Sequence, residues 1–223
     1  MKILALDTAT EACSAALFCN GSVYERHDIA PRRHAELILP MVDAVLGQAG
    51  LGLNDLDAIA FGRGPGAFTG VRIAAGVTQG LALGAGLPVI PVSSLAALAQ
   101  PALGKAAVIL PAIDARMGEI YWATYESDHD GLAYPASEEQ VTPPDAVQVP
   151  SAKQVFGVGS GWGTYRERLE RVLDGQVNGI DPDRFPLAKD ILPLAEREYR
   201  AGRSVSAEQA LPVYLRDNVV KQG

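Results

Sequence analysis

Asp7, Thr8 and Thr10 stand close together after the first apolar segment, in the run Asp7-Thr8-Ala9-Thr10. A turn between two strands can present backbone N–H groups and hydroxyls to a phosphate, and an aspartate there can hold a metal-bound water. The same residue types also close hairpins through side-chain to backbone hydrogen bonds, without any ligand. The run therefore predicts either a nucleotide-phosphate turn or a plain hairpin turn.

A second candidate is the glycine-rich run 62–73, which follows a predicted strand and leads into a predicted helix with Thr69 as the expected N-cap. Glycines permit positive φ and a helix N-terminus presents free N–H groups, so this loop can receive an anion. It lacks the Gly-Lys-Ser/Thr of a Walker loop and the spacing of a dinucleotide fingerprint. The alternative is a tight crossover in which glycines let helix and sheet pack closely.

Residues for metal or nucleophilic catalysis are sparse. His27, His34 and His129 show no ligand spacing, and we expect them at surface or helix-capping positions. No Ser-His-Asp or Cys-His set can be assembled from neighbouring motifs. Cys13 and Cys19 would lie roughly 20 Å apart along one strand, too far for a disulfide. We therefore predict no catalytic residue and no metal ligand.

These candidates need elements to position them. We predict strands at 3–6, 13–18, 22–26, 58–61 and 88–92, with helices at 34–48, 69–84 and 93–100. Three strands followed by alternating strands and helices is the order of a ribonuclease-H-like unit.

A similar order begins again in the second half of the chain. We predict strands at 108–114, 119–125, 131–134 and 154–158, then helices at 164–173 and 191–201, with surface connections at 128–151. The strand that ends in Asp114 echoes the one that ends in Asp7, although two apolar strands can also look alike by chance. The expected class is α/β with two ribonuclease-H-like lobes in tandem, at 1–104 and 105–204, and a tail at 205–223.

Charge and hydropathy limit the classes of function. The formal net charge is −7 with a pI near 5.0, so the surface lacks the broad positive field that holds a phosphate backbone. If RNA is involved, another subunit should carry most of the positive charge. The apolar stretch 73–90 is interrupted by polar residues, proline and glycines, which argues against a membrane span. No export signal is recognisable, so we expect a cytoplasmic protein.

The first two helices carry more apolar surface than one contact needs. Helix 34–48 has two adjacent apolar stripes, and helix 69–84 carries Gly76, Gly80 and Gly84 four residues apart. Either both helices are simply buried in their lobe, or they also meet another protein. We predict a partner interface at Leu37, Ile38, Met41, Val45, Val71, Ala74, Ala75 and Thr78.

Four runs together carry a family resemblance: Asp7 to Thr10, Gly64 to Arg72, Ile113 to Tyr121, and Pro212 to Arg216. In this order they resemble the TsaB/YeaZ family. The resemblance implies an actin-like (ASKHA) fold and binding to the catalytic paralogue TsaD through the first two helices. With the ATPase TsaE, that complex transfers threonylcarbamoyl to the adenosine 3′ of the anticodon in tRNAs that read codons beginning with A.

The resemblance also bears on cofactors and partners. It implies a homodimer when TsaD is absent, only indirect contact with tRNA, no membrane, and ATP use by partner subunits alone. The TsaD branch holds its metal by a His-x-x-x-His pair, which the matching segment 91–98 lacks. Ala9 replaces the superfamily's usual glycine, so Asp7, Thr8 and Thr10 would form a vestigial nucleotide turn. An ATPase or small-molecule kinase, which would use these residues and loop 157–161, is the alternative; a metallopeptidase is disfavoured by the missing histidines.

Overall fold

The computed structural model describes residues 1–150 and 153–216. Its first sheet has the strand order β3-β2-β1-β4-β5, in which β1 to β3 form an antiparallel meander and β4 and β5 continue parallel to β1. The turn at Asn20-Gly21, with φ of 52° and 84°, closes the β2–β3 hairpin as the sequence predicts. The strands are β1 (Lys2–Asp7), β2 (Ala12–Cys19), β3 (Ser22–Ile29), β4 (Ala58–Gly62) and β5 (Val89–Val92).

The second sheet repeats that plan. The order β10-β7-β6-β11-β12 again has an antiparallel meander followed by two parallel strands. Two short strands, β8 and β9, pair beside β6. The bounds are β6 (Val108–Arg116), β7 (Glu119–Trp122), β8 (Tyr125–Ser127), β9 (Ala133–Pro135), β10 (Gln140–Thr142), β11 (Val155–Val158) and β12 (Val177–Asp181). The repeated order establishes an actin-like α/β fold with two ribonuclease-H-like sheets.

In the described part of the chain, five α-helices cover the two sheets. The first two end at Gly50 and Gly86, each with φ of 66°, the left-handed conformation that glycine adopts without steric cost. Helix three begins after Ser93, whose hydroxyl accepts the N–H groups of Leu95 and Ala96. The helices are α1 (His34–Ala49), α2 (Phe68–Ala85), α3 (Ser94–Ala99), α4 (Ser160–Val172) and α5 (Ala188–Arg200).

Three hydrophobic clusters hold the layers together. Along β1, Leu4 and Leu6 face the cluster formed with α1 and α2, whereas Ile3 and Ala5 face a cluster shared with α3, α5 and β6. This alternation follows the two-residue period of a strand buried on both faces. The third cluster lies between the second sheet and α4, around Trp162. The cluster shared with α3, α5 and β6 thus spans both halves of the chain.

Some predicted elements differ from the observed ones. The segment 119–125, predicted as one strand, contains the whole of β7 and the first residue of β8. The predicted strand 131–134 overlaps β9, but the connections predicted at 128–151 also contain β10, which was not predicted. Strand β12 was not predicted, because its sequence Val-Asn-Gly-Ile-Asp is short and half polar. Thr69 is not the N-cap of α2; the helix starts at Phe68, with Ala67 as the N-cap. Cys13 and Cys19 are both buried and free on β2, as predicted.

Two observations bear on the predicted division at 1–104, 105–204 and 205–223, which stays a prediction. Helix α5 lies in the second range but packs against β1, β2, β4 and β5 of the first sheet. In the tail, Val205 pairs with Val89 and Ala207 and Ala210 join the α1–α2 cluster, while residues 217–223 lie outside the described part. Within the described residues, no helix has the length and apolar character that crossing a membrane requires.

Candidate functional site: the cleft between the two turns

All four segments that carry the family resemblance meet at one cleft of about 450 Å³. The β1–β2 turn and the β4–α2 loop form its wall on the first sheet, the β6–β7 hairpin forms the opposite wall, and the C-terminal segment 213–216 runs along it. The lining includes Ala9, Thr10, Glu11, Arg32, His34, Pro65, Phe68, Asp114, Arg116, Tyr214 and Arg216. This volume lies within the range of about 300–1,000 Å³ typical of ligand pockets.

The two turns that face each other are built alike. Asp7 Oδ1 accepts the N–H of Ala9 at 2.8 Å, and Asp114 Oδ1 accepts the N–H of Arg116 at 2.8 Å. Each is an Asx turn at the end of the first strand of its sheet. The echo between Asp7 and Asp114 in the sequence therefore reflects equivalent places in two copies of one fold.

Asp7 points into the interior and does not line the cleft. Its side chain is fully buried, its Oδ2 has no hydrogen-bond partner, and a Cβ on Gly62 would lie 1.9 Å from that oxygen. Burial raises the pKa of Asp7 to about 7, with a smaller contribution of the same sign from Asp190. Burial also raises the pKa of Asp190 to about 6, against the opposing effect of Arg184. The Asp7 carboxyl is thus unavailable to an ion in the cleft.

The hydroxyl of Thr8 is also engaged inside the protein. It donates to the carbonyl of Gly70 at 2.7 Å, and the Ala67 N–H donates to the carbonyl of Ala9 at 2.7 Å. The β4–α2 loop thereby packs directly on the first turn. Of the three residues predicted for a vestigial nucleotide turn, only Thr10 lines the cleft, and its buried Oγ1 has no partner. The side chains of Asp7 and Thr8 thus bond within the protein, Asp7 to its own turn and Thr8 to the glycine-rich loop.

The glycine-rich loop also receives the C-terminal segment. The Val213 N–H donates to the carbonyl of Arg63 at 2.8 Å, and a Cβ on Gly64 would lie 3.1 Å from the carbonyl oxygen of Val213. Gly64 has φ of 95°, which side chains rarely adopt, so both backbone conformation and space favour glycine there.

Ion pairs join the two walls of the cleft. Arg116 on the hairpin pairs with Glu11 on the first turn at 3.0 Å, and Arg216 pairs with Glu119 on β7. The Arg216 guanidinium also contacts the sulfur of Met117 at 3.6 Å. The Arg116–Glu11 pair is largely exposed, and because exposed pairs contribute only about 0–1 kcal/mol, its role is mainly to orient the segments.

Sequence reasoning missed a second cavity, next to β5 and α3. There Arg63 pairs with Glu139 at 3.3 Å, and the buried Tyr125 hydroxyl lies 3.3 Å from Ser93 Oγ. Burial raises the pKa of Tyr125 above its usual value. Arg63 and Glu139 are 76 residues apart in the sequence, and Ser93 and Tyr125 are 32 apart. Because no local motif joins either pair, the sequence gives no signal that they meet. Helix α3, which borders this cavity, contains no histidine.

Two further places hold possible metal-ligand side chains: the start of α1 at His34, and the exposed turn from Asp128 to Asp130. His34 is buried at the start of α1 with its Nε2 unpartnered, so the expectation of a surface or capping role is wrong for this residue. Asp128, His129 and Asp130 bring ligand atoms within 4.8 Å of one another in an exposed turn. Asp128 there already accepts two backbone N–H groups and pairs with Arg197, so the turn is held together by its own hydrogen bonds.

The predicted partner-interface residues require a correction. Six of the eight are buried within this chain, and they cannot meet a partner unless the lobe opens: Ile38, Val45, Val71, Ala74, Ala75 and Thr78. Only Leu37 and Met41 are partly exposed. The outer surface of the same two helices instead presents Leu39 and Leu83, with exposed fractions of 46% and 68%. Beside them, Gly76, Gly80 and Gly84 have open space where a Cβ would stand.

Comparisons with known proteins agree on one family. Residues 27–223 match the family model described as TsaD, tRNA N6-adenosine threonylcarbamoyltransferase. The tRNA threonylcarbamoyladenosine biosynthesis protein TsaB of Escherichia coli is 46% identical over 98% of this chain and 96% of its own length. The TsaB of Haemophilus influenzae is 42% identical over 98% and 95%. The solved structure of YeaZ from Pseudomonas aeruginosa superposes with a TM-score of 0.89 and 49% identity, over 96% of this chain and 99% of that one.

Proposed function

The chain belongs to the TsaB/YeaZ family of tRNA threonylcarbamoyladenosine biosynthesis proteins, and from this membership we propose that it is the non-catalytic partner subunit of a tRNA-modifying complex. In that complex a paralogous subunit, TsaD, transfers a threonylcarbamoyl group to the adenosine 3′ of the anticodon in tRNAs that read codons beginning with A. The present chain activates or positions TsaD in the cytoplasm and turns over no substrate alone.

The observation that carries this proposal is that Asp7 and Thr8 of the β1–β2 turn form hydrogen bonds within the protein itself. Asp7 is fully buried, and Thr8 is hydrogen-bonded to Gly70, so the groups that would serve nucleotide chemistry hold the protein's own loop instead. The helix that carries the metal-binding histidine pair in the TsaD branch corresponds here to α3, whose sequence is Ser-Leu-Ala-Ala-Leu-Ala. Both features favour a subunit whose fold serves to bind a partner and not to catalyse a reaction. No cofactor is required by this chain, and ATP is used by the partner subunits.

The outer face of α1 and α2 is the proposed contact with TsaD. Leu39 and Leu83 supply exposed apolar side chains, and the glycines at 76, 80 and 84 let a partner helix approach the backbone closely. Without TsaD, a second copy of this chain would cover the same face and give a homodimer. TsaE joins through the assembled complex, and tRNA reaches this subunit through that complex.

Calorimetry with the purified chain tests the proposal, using ATP in one titration and TsaD in another. We expect TsaD to bind with an affinity that permits a stable complex and ATP to give no heat of binding. A parallel assay of tRNA modification should show no product with this chain alone and strong stimulation of TsaD. Tight ATP binding without TsaD binding would instead identify an ATPase or kinase of the actin-like superfamily.

A further inference from the structure

The Arg72 guanidinium contacts two aromatic rings at the edge of the cleft. Its guanidinium carbon lies 3.2 Å from the ring centroid of Phe68 and 5.0 Å from that of Tyr214, and the two ring centroids are 5.8 Å apart. We call these three side chains the Arg72 stack. Phe68 and Arg72 lie on α2, whereas Tyr214 lies on the C-terminal segment, so only the folded protein assembles all three.

The stack is exposed and cationic. Phe68 and Tyr214 keep 52% and 45% of their surface in solvent, and both line the cleft. Among the described residues, no carboxylate lies within 4 Å of the Arg72 guanidinium, and the same holds for Arg32 on the cleft wall. Other arginines nearby are paired, including Arg33 with Glu36 and Arg116 with Glu11 and Asp114. Within the described residues, Arg72 at the two rings and Arg32 on the wall of the same cleft thus have no acidic partner, in a chain of net charge −7.

This combination fits unpaired RNA better than other anionic partners. A single-stranded nucleotide offers a base that stacks on an aromatic or guanidinium plane and a phosphate that attracts a cation. A purely electrostatic contact with an acidic protein would use the cations but leave both aromatic faces without a matching surface. The adjoining cleft of about 450 Å³ has room for a base beside the stack.

We propose that the Arg72 stack is a direct RNA contact, where the base of an unpaired nucleotide of the substrate tRNA stacks on Phe68 or Tyr214, whose rings are tilted by 43°, and its phosphate meets Arg72, with Arg32 on the wall of the same cleft. The inference rests on the proposed function for the identity of the RNA. It departs from the expectation that tRNA meets this subunit only indirectly. The number of cations is small, so TsaD still supplies most of the electrostatic attraction.

The test measures binding of labelled tRNA to the assembled complex with TsaD, using Arg72→Ala, Tyr214→Ala and wild-type chains. We expect each substitution to weaken tRNA binding about five- to tenfold, because loss of one stacking partner has an effect of this order. Arg72→Lys keeps the charge but loses the planar stack, and should fall between wild type and Arg72→Ala. Arg200→Ala, which removes an exposed arginine on α5, is the matched control and should leave binding unchanged.

Two further readouts separate the possible outcomes. Calorimetry with TsaD alone tests the proposed function, and ultraviolet cross-linking of tRNA to the isolated chain tests the RNA contact without TsaD, with cross-links expected at Phe68 or Tyr214. Unchanged tRNA affinity in Arg72→Ala and Tyr214→Ala complexes would overturn the proposal. So would a loss of TsaD affinity with unchanged tRNA affinity of the complexes that form, since the stack would then be a protein-docking surface.

Discussion

Gly70 lies so close to Thr8 that a Cβ on Gly70 would come within 2.0 Å of the Thr8 carbonyl oxygen. The Thr8 hydroxyl donates to the Gly70 carbonyl at 2.7 Å across the same contact. Two segments of the family resemblance therefore meet backbone to backbone. A side chain at position 70 would separate them.

Gly70→Ala should destabilise the protein by about 1–3 kcal/mol, the usual cost of forcing extra atoms into a packed site. Chemical denaturation measures the change. Gly76→Ala is the matched control, because it lies on the same helix with open space at its Cβ position. Alanine is the better helix former, so the control should be neutral or more stable by up to about 1 kcal/mol. Equal effects of the two substitutions would contradict the close contact.

Leu83→Glu tests the outer face of α2 as the contact with TsaD. Leu83 has an exposed fraction of 68%, so the isolated chain should keep its stability within about 0.5 kcal/mol. A charge buried in the complex should weaken TsaD binding at least about tenfold, measured by calorimetry. Val23→Glu, on the exposed strand β3, is the control. Full TsaD affinity in the Leu83→Glu variant would place the contact elsewhere.

Asp7→Asn should change how stability depends on pH. The folded pKa of about 7 lies above the ordinary value of 3.8, so the folded state binds more protons than the unfolded state between about pH 4 and pH 7. The contribution of Asp7 to stability therefore falls as pH rises through this window and stays low above it. Asparagine cannot ionise and can still accept the Ala9 N–H.

The Asp7→Asn variant should accordingly match wild type near pH 4 and exceed its stability near pH 8 by up to about 4 kcal/mol. Denaturation curves at several pH values give the difference. Asp190→Asn should show the same sign over a window that closes nearer pH 6, where the pKa of Asp190 lies. A difference between wild type and Asp7→Asn that does not vary with pH would show that Asp7 titrates normally.

Val213→Pro tests the attachment of the C-terminal segment to the glycine-rich loop. Proline removes the N–H that donates to Arg63, so the hydrogen bond at 2.8 Å is lost. We expect faster hydrogen exchange at residues 211–216 and a loss of about 1 kcal/mol in stability. Val213→Ala keeps the N–H and should preserve slow exchange. If both variants exchange alike, the side chain and not the backbone bond holds the segment.

Much of the fold follows from local patterns. The continuous apolar run of β1, the Asn-Gly turn and the apolar repeats of α1 and α2 are strong enough to place the first lobe's elements, and Asp7 and Asp114 do mark a structural repeat. Strands β10 and β12 escaped prediction because three to five residues of mixed polarity carry no clear period. Pairing with a neighbouring strand, which is remote in sequence, makes them strands.

The predicted interface residues show a second limit of prediction from sequence, namely that periodicity does not assign a helix face to the core or to a partner. The two apolar stripes on α1 are visible in the sequence, yet periodicity does not tell which stripe its own sheet covers. The structure places Ile38 and Val45 against the sheet and leaves Leu39 outside. The interface prediction took residues from both stripes, and Ile38 and Val45 among them are covered by their own lobe, because apolar character also favours burial within the chain.

The sequence by itself determined the family, the two-lobed α/β plan and the segments that matter, because these depend on residue types and short-range periods. Tertiary structure alone decided that Asp7 turns inward, that Thr8 bonds to Gly70, and that Arg72 of α2 contacts Tyr214 of the C-terminal segment. Each of these contacts joins residues from separate elements. Their geometry depends on how the whole chain packs, which no local pattern of residues encodes.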